Sequence, residues 1–366
     1  MLNNRQTQLI CQQHTAGVDC VALVPGPNLN YVSGLALHAS ERPIVAFFPV
    51  QGQPVVVLPV LERGRAEKMV QGNAQLIGYT DEDGPTTAFA QASRELGLSG
   101  KRIAVEHLHM RVLELHYIEQ AATGAEFVSL EAALPGLRAI KDVGEIATMR
   151  RAVAITEQAL HKLIARPLIG LTEKEIAVRL EQLMRQAGAD GVAFIIVVAG
   201  PNSADPHAGP SDRPVQSGDL VVIDCGATYG GYPADLTRTF SAGTVSDELK
   251  RIYEVVRQAN AAGKAVVRAG VPAQEVDRAA RRVIDAAGYG PHFFHRTGHG
   301  LGLEVHEPPY IVEGNGEPLS SGMVFTVEPG IYLPGVGGVR IEDNVVVTVQ
   351  GVDCLTTFER ELQVLG

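Results

Sequence analysis

The chain has no tryptophan, four cysteines and only 5% aromatic residues in 366 positions. Without tryptophan, any aromatic wall of a binding pocket must come from Phe, Tyr or His. Cys11, Cys20, Cys225 and Cys354 are scattered and form no CxxC pair. That argues against a cysteine metal site and a disulfide scaffold, and suits reduced thiols in the cytoplasm. No uncharged apolar window is long enough to span a bilayer, so no membrane association is expected. The amino terminus, MLNNRQTQLICQQHTAGVDC, lacks the basic segment and apolar run of a secretory signal. Basic residues are in the minority: 31 Lys and Arg against 41 Asp and Glu give a net charge of −10. An acidic chain repels phosphate backbones, which removes nucleic acid as a default partner.

What is present describes an ordered, two-part molecule. Apolar residues at 45% and charged residues at 20% can build a sizeable core and exclude disorder. The length suggests about two domains. In the first part, strand-like DCVALVPG, RPIVAFFPV, PVVVLPV and KRIAVE alternate with helix-like TTAFAQASRELGL and VLELHYIEQAA. That alternation predicts an α/β domain over residues 1–137, ending where Pro135 and Gly136 punctuate LPGLRAIKD. The second part, 138–366, opens on an amphipathic helix from Val143. Its apolar stripe, Ile146, Met149, Val153, Leu160, Leu163 and Ile164, is interrupted once, at Thr156. Thr172 with Glu175 predicts a capped second helix, and further helices are expected over 246–269 and 273–287. FIIVVAG, DLVVIDCG, MVFTVEPGIYL and GGVRIEDNVVVTVQG read as strands, so this half is expected to be α+β, with helices flanking an antiparallel sheet.

Carboxylates inside apolar strands need an explanation. Asp224 ends LVVID, and Asp235 follows eleven positions later across a Gly230-Gly231 turn that could fold the two together. Glu328 closes VFTVE, and Glu342 sits in VRIEDNVVV with Asp343 on the opposite face. A buried carboxylate without a partner tends to stay protonated, so these four need cations. Arg238 and Arg340 offer one solution, buried ion pairs. A nearby glycine-rich run, HRTGHGLGLEVHEPP, offers another: it packs His295, His299 and His306 among three glycines, with little to gain in packing. Four acids plus an imidazole match two divalent cations in formal charge, and two such ions sharing a water would lower its pKa. An oxygen-rich set with one imidazole suits Mn²⁺, Co²⁺ or Fe²⁺.

The stretches DCGATYGGYPADLTRTF, HRTGHGLGLEVHEPP, TVEPGIY and GVRIEDN resemble the pita-bread metallopeptidase family, which includes aminopeptidase P, prolidase and methionine aminopeptidase. NLNYVSG resembles, more weakly, the amino-terminal domain that prolidase and aminopeptidase P share with creatinase. The resemblance implies a creatinase/prolidase-like α/β domain followed by a pita-bread catalytic domain. It maps the metal ligands onto Asp224, Asp235, His299, Glu328 and Glu342, and implies two divalent ions, Mn²⁺ or Co²⁺ ahead of Zn²⁺ or Fe²⁺. It makes Glu328 the proton carrier and His306 and His207 groups that stabilise charge during catalysis. His295, His306, Tyr332 and Arg340 become substrate-pocket positions. Tyr31, Arg42 and Arg296 are further pocket candidates.

The implied activity is hydrolysis of Xaa-Pro bonds in short peptides, by a homodimer. The compact length, with one modest amino-terminal domain, favours the dipeptidase (prolidase) over aminopeptidase P. Methionine aminopeptidases usually lack such a domain and rank lower. A creatinase-like enzyme without metal, or a silent binding protein of this fold, is expected to lack part of the ligand set; all five ligand positions are kept here.

Overall fold

The computed structural model describes residues 4–134 and 136–365, so Pro135 lies outside the described residues. Two compact units divide between Arg138 and Ala139. In the first, α1 (Asn4–Ala16), β1 (Cys20–Leu23) and α2 (Pro27–Ser33) precede the strands β2 (Val45–Pro49) and β3 (Val55–Pro59). Then follow α3 (Val60–Val70), β4 (Gln75–Tyr79), α4 (Thr86–Leu96), β5 (Arg102–Val105), α5 (Val112–Ala121), β6 (Glu126–Ser129) and the short α6 (Leu130–Ala133). The strands form one mixed sheet in the order β4-β3-β2-β1-β5-β6. The β-branched and aromatic runs CVAL and VVVLP are buried along their whole length, as strands inside a layered α/β unit must be. The QGQ turn joins β2 to β3 as an antiparallel pair. Phe89 packs edge-on to Phe47 and stacks on Tyr117 at 5.4 Å, closing the core.

The second unit opens with α7 (Val143–Ile164), started by a reciprocal Asp142–Glu145 capping box, and α8 (Glu173–Gln186), started by the Thr172–Glu175 box. Met149, Val153, Leu160 and Leu163 are the buried stripe of α7. Thr156 breaks that stripe for a reason: its hydroxyl donates to Ala152 O at 3.0 Å and accepts from the Ala227 N–H at 3.0 Å. The interruption is a seam to the neighbouring strand.

After α8 come β7 (Gly191–Ala199), β8 (Leu220–Tyr229), β9 (Tyr232–Pro233), β10 (Leu236–Ala242), α9 (Asp247–Ala265) and α10 (Ala273–Ala286). The remainder is β11 (Gly298–Gly300), β12 (Glu307–Ile311), β13 (Val324–Val327), β14 (Gly330–Leu333), β15 (Gly337–Arg340), β16 (Asp343–Val347), β17 (Val352–Cys354) and β18 (Val364–Leu365). These strands make two five-stranded sheets and a hairpin. One sheet runs β18-β10-β8-β7, with β9 on β8; the other runs β12-β11-β13-β16-β17; the hairpin is β14-β15. Pairing is antiparallel except between β10 and β18.

Two elements differ from the sequence reading. MVFTVEPGIYL divides after Val327 into β13, in a sheet, and β14, in the hairpin. Glu342 is not inside a strand but in the break between β15 and β16, where the chain leaves the hairpin and joins a sheet. Its N–H donates to Thr237 O at 3.1 Å, which hands the chain to the edge of β10 and turns the carboxyl toward the other acids.

Candidate metal centre

Five side chains converge from separate elements of the second unit. In β8, Ile223 and Cys225 face the apolar core, so the two-residue period turns Asp224, between them, to the opposite face. The Gly230-Gly231 turn, with φ of 57° and 82°, folds the chain back so that Thr237 pairs with Asp224. Asp235, just ahead of β10, arrives beside it. Asn344 pins the Asp235 backbone: its Oδ1 accepts from Asp235 N–H at 3.1 Å, and its Nδ2 donates to Asp235 O. His299 comes from β11, Glu328 from the end of β13, and Glu342 from the break described above.

The glycines around His299 are explained by close backbone approach. A Cβ on Gly298 would stand 1.9 Å from Thr326 O, and one on Gly300 would stand 2.3 Å from Pro308 O. Only glycine lets β11 thread between β12 and β13 and deliver an imidazole to the acids.

His299 Nδ1 lies 3.2 Å from Gly300 O, an atom that only accepts, so Nδ1 carries a proton. Nε2 then faces Glu328 Oε1 at 3.2 Å and Asp235 Oδ2 at 3.6 Å. The Thr326 hydroxyl accepts from His299 N–H and donates to Glu328 Oε1, both at 3.1 Å. Thr237 donates to Glu342 Oε2 at 2.6 Å. Oxygen atoms of Asp224, Asp235 and Glu342 lie within 4.8 Å of one another, as do ligand atoms of His299, Glu328 and Glu342. Glu342 thus belongs to two overlapping groups.

Behind the acids runs a polar relay. Arg340 Nη2 donates to Asp224 Oδ2 at 2.6 Å, and its Nη1 donates to Tyr332 Oη at 3.0 Å. Tyr332 Oη lies 3.0 Å from His295 Nε2, and His295 Nδ1 lies 2.7 Å from Arg296 O. The carbonyl fixes the proton on Nδ1, so Tyr332 donates to Nε2. Burial, first of all, holds the His295 imidazolium below its ordinary range, consistent with that neutral tautomer. Tyr332 is buried behind the pocket wall rather than part of it. Asp343 faces the other way, onto Arg238, Lys264 and Arg360, which together outweigh its burial and hold it well below the usual carboxylate range.

The electrostatics are those of a cation site. Burial drives Asp224, Asp235 and Glu342 upward. Arg340 relieves Asp224, whereas the neighbouring acids aggravate Asp235 and Glu342, which end well above the carboxylate range. Glu328 is the exception: burial opposes its charge, but the hydrogen bond and charge of His299 carry it down to about 2. Burial likewise opposes the His299 imidazolium, and Glu328 and Asp235 outweigh it. Asp224 Oδ1 and Glu342 Oε1 are buried with no hydrogen-bond partner. Two orphaned anionic oxygens in one cluster are the positions a divalent cation would fill, and the oxygen-rich donor set fits such ions.

The acids floor a pocket of about 360 Å³, a size suited to a small substrate. His207, His295, Arg296 and His306 line it, with Phe194, Ile196 and Val305 as apolar wall. His207 and His306 are exposed, whereas His299 is buried. His306 stacks against His299 with ring centroids 4.0 Å apart, and its nitrogen falls within 4.8 Å of ligand atoms of Asp235 and His299. Desolvation, then the charges of His299 and Arg296, push its imidazolium down to about 4. The loop bearing His207 is stapled by Glu173, which accepts from Ala199 N–H at 2.7 Å and Ser211 N–H at 2.9 Å. Of the further candidates, only Arg296 lines the pocket. Tyr31 is buried under Arg5, and Arg42 pairs with Asp81 at 2.7 Å, both in the first unit. Sequence reading missed Phe194, Ile196, Thr237, Thr326 and Asn344. Period-two alternation from Asp235 would have marked Thr237.

Buried acids and an imidazole gathered under a substrate-sized pocket, on two antiparallel sheets flanked by helices, define a hydrolase of the divalent-metal class. The chain belongs to metallopeptidase family M24, whose model matches residues 147–349; the creatinase/prolidase N-terminal domain matches residues 5–140. It is 39% identical to a probable dipeptidase, PepE, of Mycobacterium tuberculosis, over 96% of this chain and 93% of that one. Solved structures agree. A dipeptidase from Pyrococcus horikoshii OT3 superposes with a TM-score of 0.92 at 40% identity, covering 99% of this chain and 100% of that one. A prolidase from Thermococcus sibiricus gives 0.92 at 37%, covering 99% and 98%. The expected fold, a creatinase/prolidase-like domain followed by a pita-bread catalytic domain, is the one these relatives share.

Proposed function

We propose that the protein is a Xaa-Pro dipeptidase that works with two divalent ions, Mn²⁺ or Co²⁺ ahead of Zn²⁺ or Fe²⁺. The observation that carries this reading is the pair of orphaned buried oxygens, Asp224 Oδ1 and Glu342 Oε1, inside a cluster of four acids and one imidazole. Asp224, Asp235, His299, Glu328 and Glu342 would hold the ions. When bound, the ions supply polarisation of the scissile carbonyl and a water of lowered pKa.

The chain's own groups do the rest. Glu328, already anionic beside His299, takes the water's proton and returns it to the leaving nitrogen. His306 is neutral at physiological pH and sits at the exposed rim, so it can donate one N–H to the oxygen that gains charge as the carbonyl carbon becomes tetrahedral. His207 faces the same pocket and serves the substrate near the scissile bond. His295 lines the pocket, oriented by Tyr332 and, through it, by Arg340. Phe194, Ile196 and Val305 provide an apolar surface for a proline ring.

The names of the relatives favour the dipeptidase over aminopeptidase P. We further propose residues 1–137 as a separate amino-terminal domain, residues 138–366 as the catalytic domain, a homodimeric assembly and a cytoplasmic location; the four unpaired cysteines support the last. The test is release of the amino-terminal alanine from Ala-Pro, Ala-Pro-Ala and Ala-Leu by protein stripped with chelator and reloaded with Mn²⁺, Co²⁺ or Zn²⁺. Metal-dependent cleavage of Ala-Pro is expected, with Ala-Pro-Ala slower. Cleavage of Ala-Leu alone, or of Ala-Pro-Ala in preference to Ala-Pro, rejects it. Light scattering measures the dimer separately.

A further inference from the structure

We propose that Asn260, on α9, is a positioning residue of the metal centre, which fixes the spacing of Glu328 and Glu342 through the backbone of both. This rests on the two-ion reading above and extends it to a residue outside the ligand set. Asn260 is fully buried. Its Nδ2 donates to Val327 O at 2.9 Å and to Ile341 O at 3.2 Å. Val327 immediately precedes Glu328, and Ile341 immediately precedes Glu342. Both partners are carbonyls, which only accept, so the amide is fixed with its NH₂ toward them. Its Oδ1 is left buried with no hydrogen-bond partner.

The strand register shows what the two bonds hold. Val327 pairs with Asp343 where β13 and β16 leave their sheet, and Gly330 pairs with Arg340 where the β14-β15 hairpin begins. Each strand advances three positions between those pairs, 327 to 330 and 343 to 340, so the register is the same on both sides. The two elements are one ribbon, opened at residues 328–329 and 341–342. Both glutamates lie in that opening. Their own N–H groups are committed elsewhere, Glu328 N to Thr297 O at 2.8 Å and Glu342 N to Thr237 O at 3.1 Å. The backbone bond that crosses the opening among the described residues is long, Ile341 N to Pro329 O at 3.5 Å. Asn260 supplies a crosspiece, one NH₂ group bonded to both edges. Gly263, one turn on, lets α9 lie close enough to do so: a Cβ there would stand 3.1 Å from Val327 Cγ1. Val256, Ala259 and Ile341 belong to one apolar cluster, so the packing itself calls for no polar side chain. A buried acceptor without a partner is costly, and an amide kept here in spite of that is explained by its two donors.

The experiment titrates Mn²⁺, and separately Co²⁺, into chelator-stripped wild type, Asn260→Leu, Asn260→Ala and Ile284→Ala in a calorimeter. Ile284 is a fully buried residue of α10, and its truncation lowers stability without removing a donor from either carbonyl. Asn260→Leu is expected to weaken ion binding about 10–100-fold, the scale for losing the support behind a ligand, while Ile284→Ala binds as wild type does. Asn260→Ala should shift in the same direction by less, because a water can enter and donate in place of the amide. Hydrogen exchange of the stripped proteins gives a readout without metal: both Asn260 variants should lose protection in the peptides around Glu328 and Glu342 and keep it in β8. Unchanged affinity in the Asn260 variants, with wild type binding two ions, overturns the assignment and leaves the proposed function standing. An equal loss in Ile284→Ala traces the effect to stability and also overturns the assignment. A wild type that binds neither ion overturns the two-ion reading. The exchange comparison then decides for Asn260: local deprotection upholds its grip on the two glutamate segments, and uniform deprotection refutes it.

Discussion

Arg340 donates to Asp224 at 2.6 Å, and its guanidinium is the permanent cation that the carboxylate cluster brings for itself, beside the imidazole of His299. Asp224, Asp235, Glu328 and Glu342 are four acids, and Arg340 touches one of them directly. The remaining charge is left to be matched from outside. Removing one member of a buried pair usually costs about 3–5 kcal/mol, because the other charge stays behind. We expect Arg340→Met to destabilise the metal-free protein by about that amount. Arg340→Lys should be intermediate, since an ammonium keeps the charge but cannot reach Tyr332, Thr237 and Asp224 together. Urea unfolding of chelated protein checks both. An Arg340→Met midpoint equal to wild type would show that the pair is dispensable.

A second charge is buried in the other unit, and it predicts a pH dependence. Glu106 is 0% exposed and accepts from Val24 N–H at 2.7 Å and from Asn28 Nδ2 at 2.8 Å. Burial is the largest effect on it and exceeds those hydrogen bonds, so its carboxyl is held above its ordinary range. A carboxyl raised in the folded state gives stability that is full below the unfolded-state value and is lost as pH rises through the folded-state value. Wild-type unfolding free energy should therefore decline across that window, and Glu106→Gln should remove the decline. The same variant should lose about 1–3 kcal/mol at acid pH, because its amide NH₂ would face a donor, Val24 N–H or Asn28 Nδ2, where a carboxyl oxygen accepts, and the gap to wild type should narrow as pH rises. Denaturant titrations of both proteins between acid and neutral pH measure slope and offset separately. A steeper decline in Glu106→Gln would reverse the sign assigned here.

The glycines of β11 make a third prediction. Gly300→Ala must place a methyl group 2.3 Å from Pro308 O, so β11 or β12 has to move. Overpacking of this kind costs about 1–3 kcal/mol. The more telling effect is on His299, whose position between Asp235 and Glu328 depends on the path of β11. Bound metal after gel filtration, measured by atomic emission, should fall in Gly300→Ala. It should hold in Gly314→Ala, where a Cβ meets nothing within 4 Å, although the positive φ of 90° there costs some stability. Full metal occupancy in Gly300→Ala would separate the glycine from the site.

How much of this was readable beforehand depends on how foreign each residue is to its surroundings. Asp224 and Glu328 stood out because carboxylates are costly in apolar strands. His299 stood out because its glycines serve neither helix nor strand. Thr237 and Thr326 hold Glu342 and Glu328 directly, yet threonine is at home in a strand, so residue type does not flag either, and only alternation from Asp235 marks Thr237. Thr156 was visible only as a gap in a stripe, and its partner, the Ala227 N–H, comes from another element. Glu342 was legible as an acid in an apolar run, but not as a break between sheets, because β15 and β16 read as one strand until the hairpin partner is known. Arg296 could be named as a pocket candidate, but its lack of an ion-pair partner is a property of three-dimensional neighbours.

The last prediction separates the two stacked histidines. His299 and His306 have rings 4.0 Å apart, and each offers a nitrogen near Asp235, so distance alone does not divide their roles. Their surroundings do. His299 is buried, has its Nδ1 proton fixed on Gly300 O, and presents Nε2 to two carboxylates. A backbone acceptor on one nitrogen and acids around the other is the arrangement of a metal-binding imidazole. His306 is exposed, and its side chain makes no hydrogen bond among the described residues, which leaves it free for a substrate. His299→Ala should therefore lose bound metal first and activity as a consequence. His306→Ala should keep its metal while turnover falls about 10²–10³-fold, the scale for losing one donor to a developing oxyanion. Metal content and Ala-Pro hydrolysis are measured side by side on both variants. Normal metal in His299→Ala, or metal loss in His306→Ala, would exchange the roles.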